Sequence, residues 1–463
     1  MVVVLWLLLI SIGAAQSNST VLPIIELVKY NGFFFVEASM NNFASKRLLF
    51  DTNAPTLLVK SSSSTKKAKS FDIITDLDTT TILLLESWRR NIVIYNNRRG
   101  EIGQIPLVEA FPYHVADSAE DGFLSNFFDW QGLTDGIFGL GTATMNRFTN
   151  TFLESYQVNA YGFLLSGSDP HIELNELNET YARNIVWSDR MSTQSRFLST
   201  TYMSIYDFSL CGVPLMGRFS SAYPATVSPA SKCLAVPRQV FANMLGWLPL
   251  TCPKQKSDPK NSKHRSDPKN SEHTESSHPQ ENLCWLSEDW KKDAFPTFEF
   301  SVNGNQRRIR LSLEQLVFRR EGRDYLCVLN GSDVNERLDH PLGEHGFVLG
   351  SMALQAFYVA VNATQGEVGL APLEAVPESR ANCLPRRRCF PGQTYHVTSN
   401  TCREPNCDAY YFMTLNERKH ECRTHPIAIV LFWAIVAYYI FSEFNQFYHT
   451  NKNRKLLLQH FAQ

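Results

Sequence analysis

Three strings decide how this chain folds: FDTNAP at Phe50–Pro55, DGIFGLG at Asp135–Gly141 and FVLGSMALQAFYVAVNATQGEVGLAP at Phe347–Pro372. Around them the chain reads as short apolar runs broken by polar turns. GFFFVEASM, RLLFDTN, TLLVKS, TTILLLES and NIVIYN come before Ser188. SLCGVPL, CLAVP, PTFEFSVNG and RRIRLSL continue the texture after Arg190. β-branched and aromatic residues are frequent and long amphipathic patterns few, which predicts an all-β chain. A length of 463 residues exceeds what one compact core holds, so two lobes are expected. Net charge is −1, with no basic excess to bind nucleic acid.

In this order and at this spacing, the three strings resemble those of pepsin-like aspartic proteases. There, an apolar pair leads into Asp-Thr-Gly, and a DGI-apolar-GLG string follows in the same lobe. The second lobe closes with an ILGD-like string, a strand and VGLA. The resemblance spans about Ile24 to Pro372. It implies a bilobal all-β fold with a central cleft, the lobes at 16–188 and 189–375.

The resemblance also implies a chemistry. Two aspartates, one per lobe, share a proton and hold a water between them. One deprotonates the water while the other protonates the scissile carbonyl. Like charges this close cannot both ionise, which splits their pKa values into one acid and one base. Asp51 matches the first position and Thr52 follows it, but Asn53 stands where the family has glycine. Asparagine tolerates a left-handed backbone, so the turn is expected to survive, with the Asn53 side chain intruding near the site. The second position falls in VSPASKCLAVP, Val227–Pro237. Ser228 takes the aspartate's place, Pro229 the threonine's and Ala230 the glycine's. A hydroxyl cannot be the proton-sharing partner, and Pro229 has no N–H for the clasp between the loops. Ser228 as a new nucleophile would need a base, and only the distant His345 offers itself.

Other matches are softer. NIVIYNNRRGEIG, Asn91–Gly103, resembles the flap hairpin, with Tyr95 as its tyrosine and Arg98 and Arg99 making the tip basic. Ser351 replaces the aspartate usual after the ILG string. The first strands are expected to take up Gln16–Phe50, leaving no room for a propeptide. The resemblance implies a disulfide between Cys284 and Cys327. The Cys284-Trp285 pair, the Cys-bearing tail and a single anchor look most like beta-secretase-type members, which implies Cys211 with Cys383.

The ends of the chain set the expected compartment. Met1–Ala15 is apolar and ends in small residues, as in a secretory signal peptide at 1–15. PIAIVLFWAIVAYYIF begins at Pro426, giving a transmembrane helix at 425–442 and a cytoplasmic tail at 443–463. Lys452, Arg454 and Lys455 follow the apolar run, but Arg418, Lys419 and Arg423 precede it, so orientation rests on the signal peptide. The expected topology is single-pass type I, with the ectodomain lumenal or at the cell surface. All ten cysteines lie between Cys211 and Cys422, an even count that suits an oxidising compartment. Asn18, Asn178, Asn330 and Asn362 head glycosylation sequons.

Two segments break the β texture. Residues 253–283 repeat SDPKNS and are nearly free of apolar residues, which predicts a disordered insertion. Residues 376–424 hold five cysteines and too little apolar sequence for a core, which predicts a disulfide-dependent stalk.

Three functions are open at this point. The first is an inactive homologue that binds a peptide or protein in its cleft. The second is an aspartic endopeptidase that uses Asp51 with a non-standard partner. The third is a structural surface protein. No metal or organic cofactor is implied, and nothing in the sequence sets an oligomeric state.

Overall fold

FFFVEASM, at Phe33–Met40, forms a long strand because its aromatic and β-branched residues suit a pleated surface packed on both faces. Phe34, Phe35 and Val36 are fully buried. The structure is a computed structural model. It describes residues 24–40, 46–54, 57–60, 69–74, 79–84, 92–96, 103–104, 114–117, 134–142, 151–189, 201–216, 222–253, 283–287, 290, 295–304, 307–320, 322–331, 346–376, 383–409, 412–416 and 418–460. The expected signal peptide at 1–15, Asn18, Arg98, Arg99, His345 and residues 254–282 of the expected insertion lie outside the described residues.

The chain divides into two units, Met1–Leu384 and Pro385–Gln463. The first is β-rich with few helices. A ten-stranded sheet is drawn from 28–139 and an eight-stranded sheet from 202–350. A six-stranded sheet mixes both halves: Ile25–Glu26, His171–Leu174, Ala160–Leu164, Phe357–Asn362, Glu367–Pro372 and Val186–Trp187, in that order. Phe357–Asn362 runs antiparallel to Ala160–Leu164, with Gly162 opposite Ala360. The lobes therefore share hydrogen-bonded backbone.

A buried polar cluster crosses this shared sheet. The Tyr358 hydroxyl donates to Glu173 Oε2 at 2.6 Å, over the intervening strand. A Cβ on Gly162 would stand 2.0 Å from that hydroxyl, so only glycine lets it pass. His171 Nε2 lies 3.1 Å from Glu173 Oε1, and the Asn178 amide donates to Glu173 Oε2 at 3.0 Å. Burial pushes the Glu173 carboxyl up. Hydrogen bonds from His171, Tyr358 and Asn178, with the His171 charge, more than offset that and hold it below its ordinary value. The Tyr358 phenol is pushed up by burial and by Glu173.

Five disulfides use all ten cysteines. Cys211 joins Cys383. The expected Cys284–Cys327 bridge is corrected: Cys327 joins Cys233, and Cys284 joins Cys252. Strand register decides this. Leu234 lies opposite Val328, which puts the preceding residues, Cys233 and Cys327, side by side. Thr251 lies opposite Trp285, which does the same for Cys252 and Cys284. The second bridge ties together the ends of a 32-residue span. In the chain-entropy picture, closing such a loop is worth about 3–4 kcal/mol.

The second unit begins at Pro385. Residues just before it stay with the first unit, because Cys383 is bridged to Cys211 and the Leu384 amide donates to Trp247 O. Its hairpins, Thr394–His396 with Thr401–Arg403 and Met413–Asn416 with Glu421–Thr424, are held by the Cys389–Cys402 and Cys407–Cys422 bridges. Only Ser399, Asn400 and Cys407 are buried among its described residues. Disulfides and hydrogen bonds stand in for an apolar core.

A helix follows over Pro426–His460. It continues past the membrane span expected at 425–442, because no glycine or proline occurs after Pro426 to stop it. It is long and apolar enough to cross a membrane, and its apolar window is unburied by the protein.

Gly162→Ala should destabilise the first unit by more than about 2 kcal/mol, since Tyr358 must shift and strand its partners. Thermal unfolding of the chain up to His425, beside the unaltered sequence, measures this, and Gly162→Leu should be worse.

Candidate functional site

Asp51 ends the strand Lys46–Asp51, which runs parallel to Gly136–Gly139 with Asp51 opposite Gly139. The DGIFGLG string grips this strand at both ends. Asp135 accepts from the Arg47 amide at 3.1 Å and from Lys46 Nζ at 2.9 Å. At the other end, the Leu140 amide donates to Asp51 O and the Gly141 amide to Ala54 O. A Cβ on Gly141 would lie 2.0 Å from Asn53 O, so the string's last glycine is dictated by contact with the loop. Phe50, fully buried, meets Phe163 of the shared sheet edge-on at 5.3 Å. That contact seats the strand end on the core.

The second half repeats this plan. Ser228 ends the strand Tyr223–Ser228, which runs parallel to Phe347–Gly350 with Ser228 opposite Gly350. The Ser351 amide donates to Ser231 O, as Gly141 does to Ala54 O. A Cβ on Gly350 would lie 2.2 Å from Cys233 O. Asp51 Oδ1 accepts from the Ala54 amide, three residues on, at 2.6 Å. Ser228 Oγ likewise accepts from the Ser231 amide, three residues on, at 3.2 Å. In register and in local bonding, Ser228 stands in the second half where Asp51 stands in the first. Asp51 Oδ1 also accepts from the Asn53 amide at 2.8 Å. Both residues are fully buried.

The loops meet through hydrogen bonds. Thr52 Oγ1 donates to Val227 O at 3.0 Å. Thr201 Oγ1 donates to Asn53 Oδ1 at 2.7 Å and lies 3.3 Å from Thr226 Oγ1. Asn53 takes the following geometry here. Its backbone is not among the left-handed positions, and its side chain is engaged by Thr201. Thr201 and Thr226 belong to no string, and nothing in the sequence marks them.

The remaining residues fall around these loops. Ser351 Oγ donates to Gly32 O at 2.7 Å, stitching the second half to the Tyr30–Phe33 turn. The Lys232 stem covers Gly32, and its ammonium sits 4.2 Å from the centre of the Phe318 ring. Burial first, and then the charge of Arg320, lowers the Lys232 pKa. Tyr95 lies on Ile92–Asn96, opposite Gln104 in a hairpin and one strand from Phe33–Met40. Asn178 caps the short helix Glu179–Ala182, Asn330 ends a buried strand, and Asn362 ends a strand at a hairpin turn.

Neither protein-family models nor curated protein sequences match this chain. Solved structures do. One is the aspartic proteinase from Irpex lacteus, with a TM-score of 0.51 and 13% identity. The match covers 97% of that chain and 76% of this one, so nearly the whole proteinase is superposed. At this identity the likeness is one of fold. The fold of this chain is that of the pepsin-like aspartic proteinases.

Thr52→Val should cost about 1–2 kcal/mol, because Val227 O loses a buried donor. Asn53→Gly removes the acceptor for Thr201 and should cost a similar amount. Because the two bonds share one buried network, a double-mutant cycle on urea midpoints should show coupling above about 0.5 kcal/mol.

Proposed function

We propose that this chain is a membrane-anchored, pepsin-type protease homologue that binds peptide or protein in its cleft without cutting it. The observation that carries this reading is Ser228 at the register position equivalent to Asp51. Aspartic proteolysis needs one carboxylate as base and a second as acid on the same water and carbonyl. A serine hydroxyl neither ionises nor shares that proton at any pH from about 3 to 7. Pro229 adds to the loss, since it has no N–H to return the bond that Thr52 gives Val227. Peptide binding draws support from what is kept: the parallel strand pairs, the link between the loops and the hairpin bearing Tyr95. The anchor reading draws on the helix Pro426–His460, and five disulfides favour a secretory setting. The type I orientation still rests on Met1–Ala15.

The glycan sites separate by environment. Asn330 is 5% exposed, so a glycan there would block folding. Asn178 donates from Nδ2 to buried Glu173, which opposes modification. Asn362 is partly exposed, on a turn where Thr364 and Gln365 are exposed. Peptide mapping of the folded ectodomain should find glycan at Asn362 and none at Asn330.

The deciding assay incubates the purified ectodomain with a mixed peptide library from about pH 3 to 7, beside Asp51→Ala. No Asp51-dependent cleavage is expected. The combined variant Asn53→Gly, Ser228→Asp, Pro229→Thr, Ala230→Gly should gain acid-range activity. Reverting its residue 228 to serine should cost at least about 10⁴-fold. Asp51-dependent cleavage by the unaltered ectodomain would instead establish the endopeptidase reading with a non-standard partner.

A further inference from the structure

The hairpin Met413–Asn416 with Glu421–Thr424 carries exposed apolar side chains along its first strand. Phe412 is 64% exposed, Met413 38% and Leu415 37%. Met413 and Leu415 alternate along their strand and so share a face, with Thr424 and Cys422 opposite them. Phe412 precedes them, and its carbonyl accepts a hydrogen bond from the His425 amide at 2.6 Å. The helix starts at the next residue, Pro426. The Phe412 backbone is therefore fixed at the mouth of the helix.

Two further facts say what covers this surface. Phe412 is held at φ +69°, a left-handed conformation that a bulky side chain adopts only at a cost. The turn itself would prefer glycine, so the ring is there for a reason other than the turn. Within the helix, moreover, the unbroken apolar run is shorter than the bilayer core is thick. That run, Ile427–Phe441, has 15 residues. At about 1.5 Å per residue this spans about 22 Å, against about 30 Å of bilayer hydrocarbon. Ser442 and Glu443 follow directly, so the polar break lies at the C-terminal end. A span this short makes up its deficit with flanking apolar and aromatic groups at the interface.

We propose that the Cys-rich unit seats on the bilayer surface, with Phe412, Met413 and Leu415 entering the headgroup boundary beside the N-terminal end of the helix. The inference rests on the membrane-anchor reading of 426–460. It makes the unit a fixed base for the helix rather than a free tether. The rigid link is the Phe412–His425 hydrogen bond, backed by the Cys407–Cys422 bridge, which crosslinks the strand leading to the helix.

Photo-crosslinking of the full-length chain in phosphatidylcholine nanodiscs tests this. Benzoylphenylalanine is placed at Phe412 in one variant and at Phe432, within the helix, in another. Both side chains are well exposed, so the exchange does not threaten folding. Lipid adducts at both positions, in yields within about threefold of each other, are the expected result. Adducts at Phe432 with none at Phe412 would overturn the seat and leave the anchor standing. A protein adduct from Phe412 would also overturn the seat, since it would mean that a protein covers this face. No adduct at Phe432 would remove the anchor reading and the seat with it.

Discussion

One steric constraint organises the centre of this molecule: a loop must lie on the end of a neighbouring strand with no side chain between them. Gly141 meets Asn53 and Ala54 in this way, and Gly350 meets Cys233. Each glycine lets a strand run parallel beside the loop-bearing strand, and that parallel register fixes where Asp51 and Ser228 stand. The link between the loops follows from this, because Thr52 reaches Val227 O only if both loops are set at the right height. The geometry of the fold thus depends on main-chain contact. Only the chemistry depends on which side chain ends the strand.

That separation leaves the fold indifferent to which polar side chain ends the second strand. Two carboxylates at close range repel each other, and a site that keeps them stores unfavourable energy for the sake of activity. Ser228 brings no charge beside Asp51's half of the fold and accepts the amide of Ser231. Pro229 forfeits a donor, but the Asn53 side chain adds a bond to Thr201. Asn53 and Thr201 come from different sheets' ends, so the bond ties the two halves of the floor together where glycine could not. Asn53 and Ser228 are thus both satisfied in hydrogen bonding.

The legible parts of the sequence were those set by local geometry. Asp51, the two glycine strings and Ser228 belong to this local geometry, since each lies at a fixed offset from a contact that admits no side chain. The apolar run from Pro426 was legible by its composition. What sequence could not supply was register between distant strands. Cys327 lies beside Cys233 because Leu234 pairs with Val328, a pairing that no spacing announces. Thr201 was missed for the same reason, since its role exists only once the loops meet. The full length of the final helix was not legible, because polarity after Phe441 ends an apolar run but not a helix.

The halves are also held together away from the aspartate position. The six-stranded sheet gives them shared backbone, and Tyr358 reaches across Gly162 to Glu173. The Glu173 carboxyl lies below its ordinary value of 4.5, so its contribution is complete above that pH. The contribution fades only as pH falls through the lowered folded value. This tie therefore persists into the mildly acid range of secretory compartments. It involves neither Asp51 nor Ser228. The side chain at 228 can therefore change without loosening the sheet on which both loops rest.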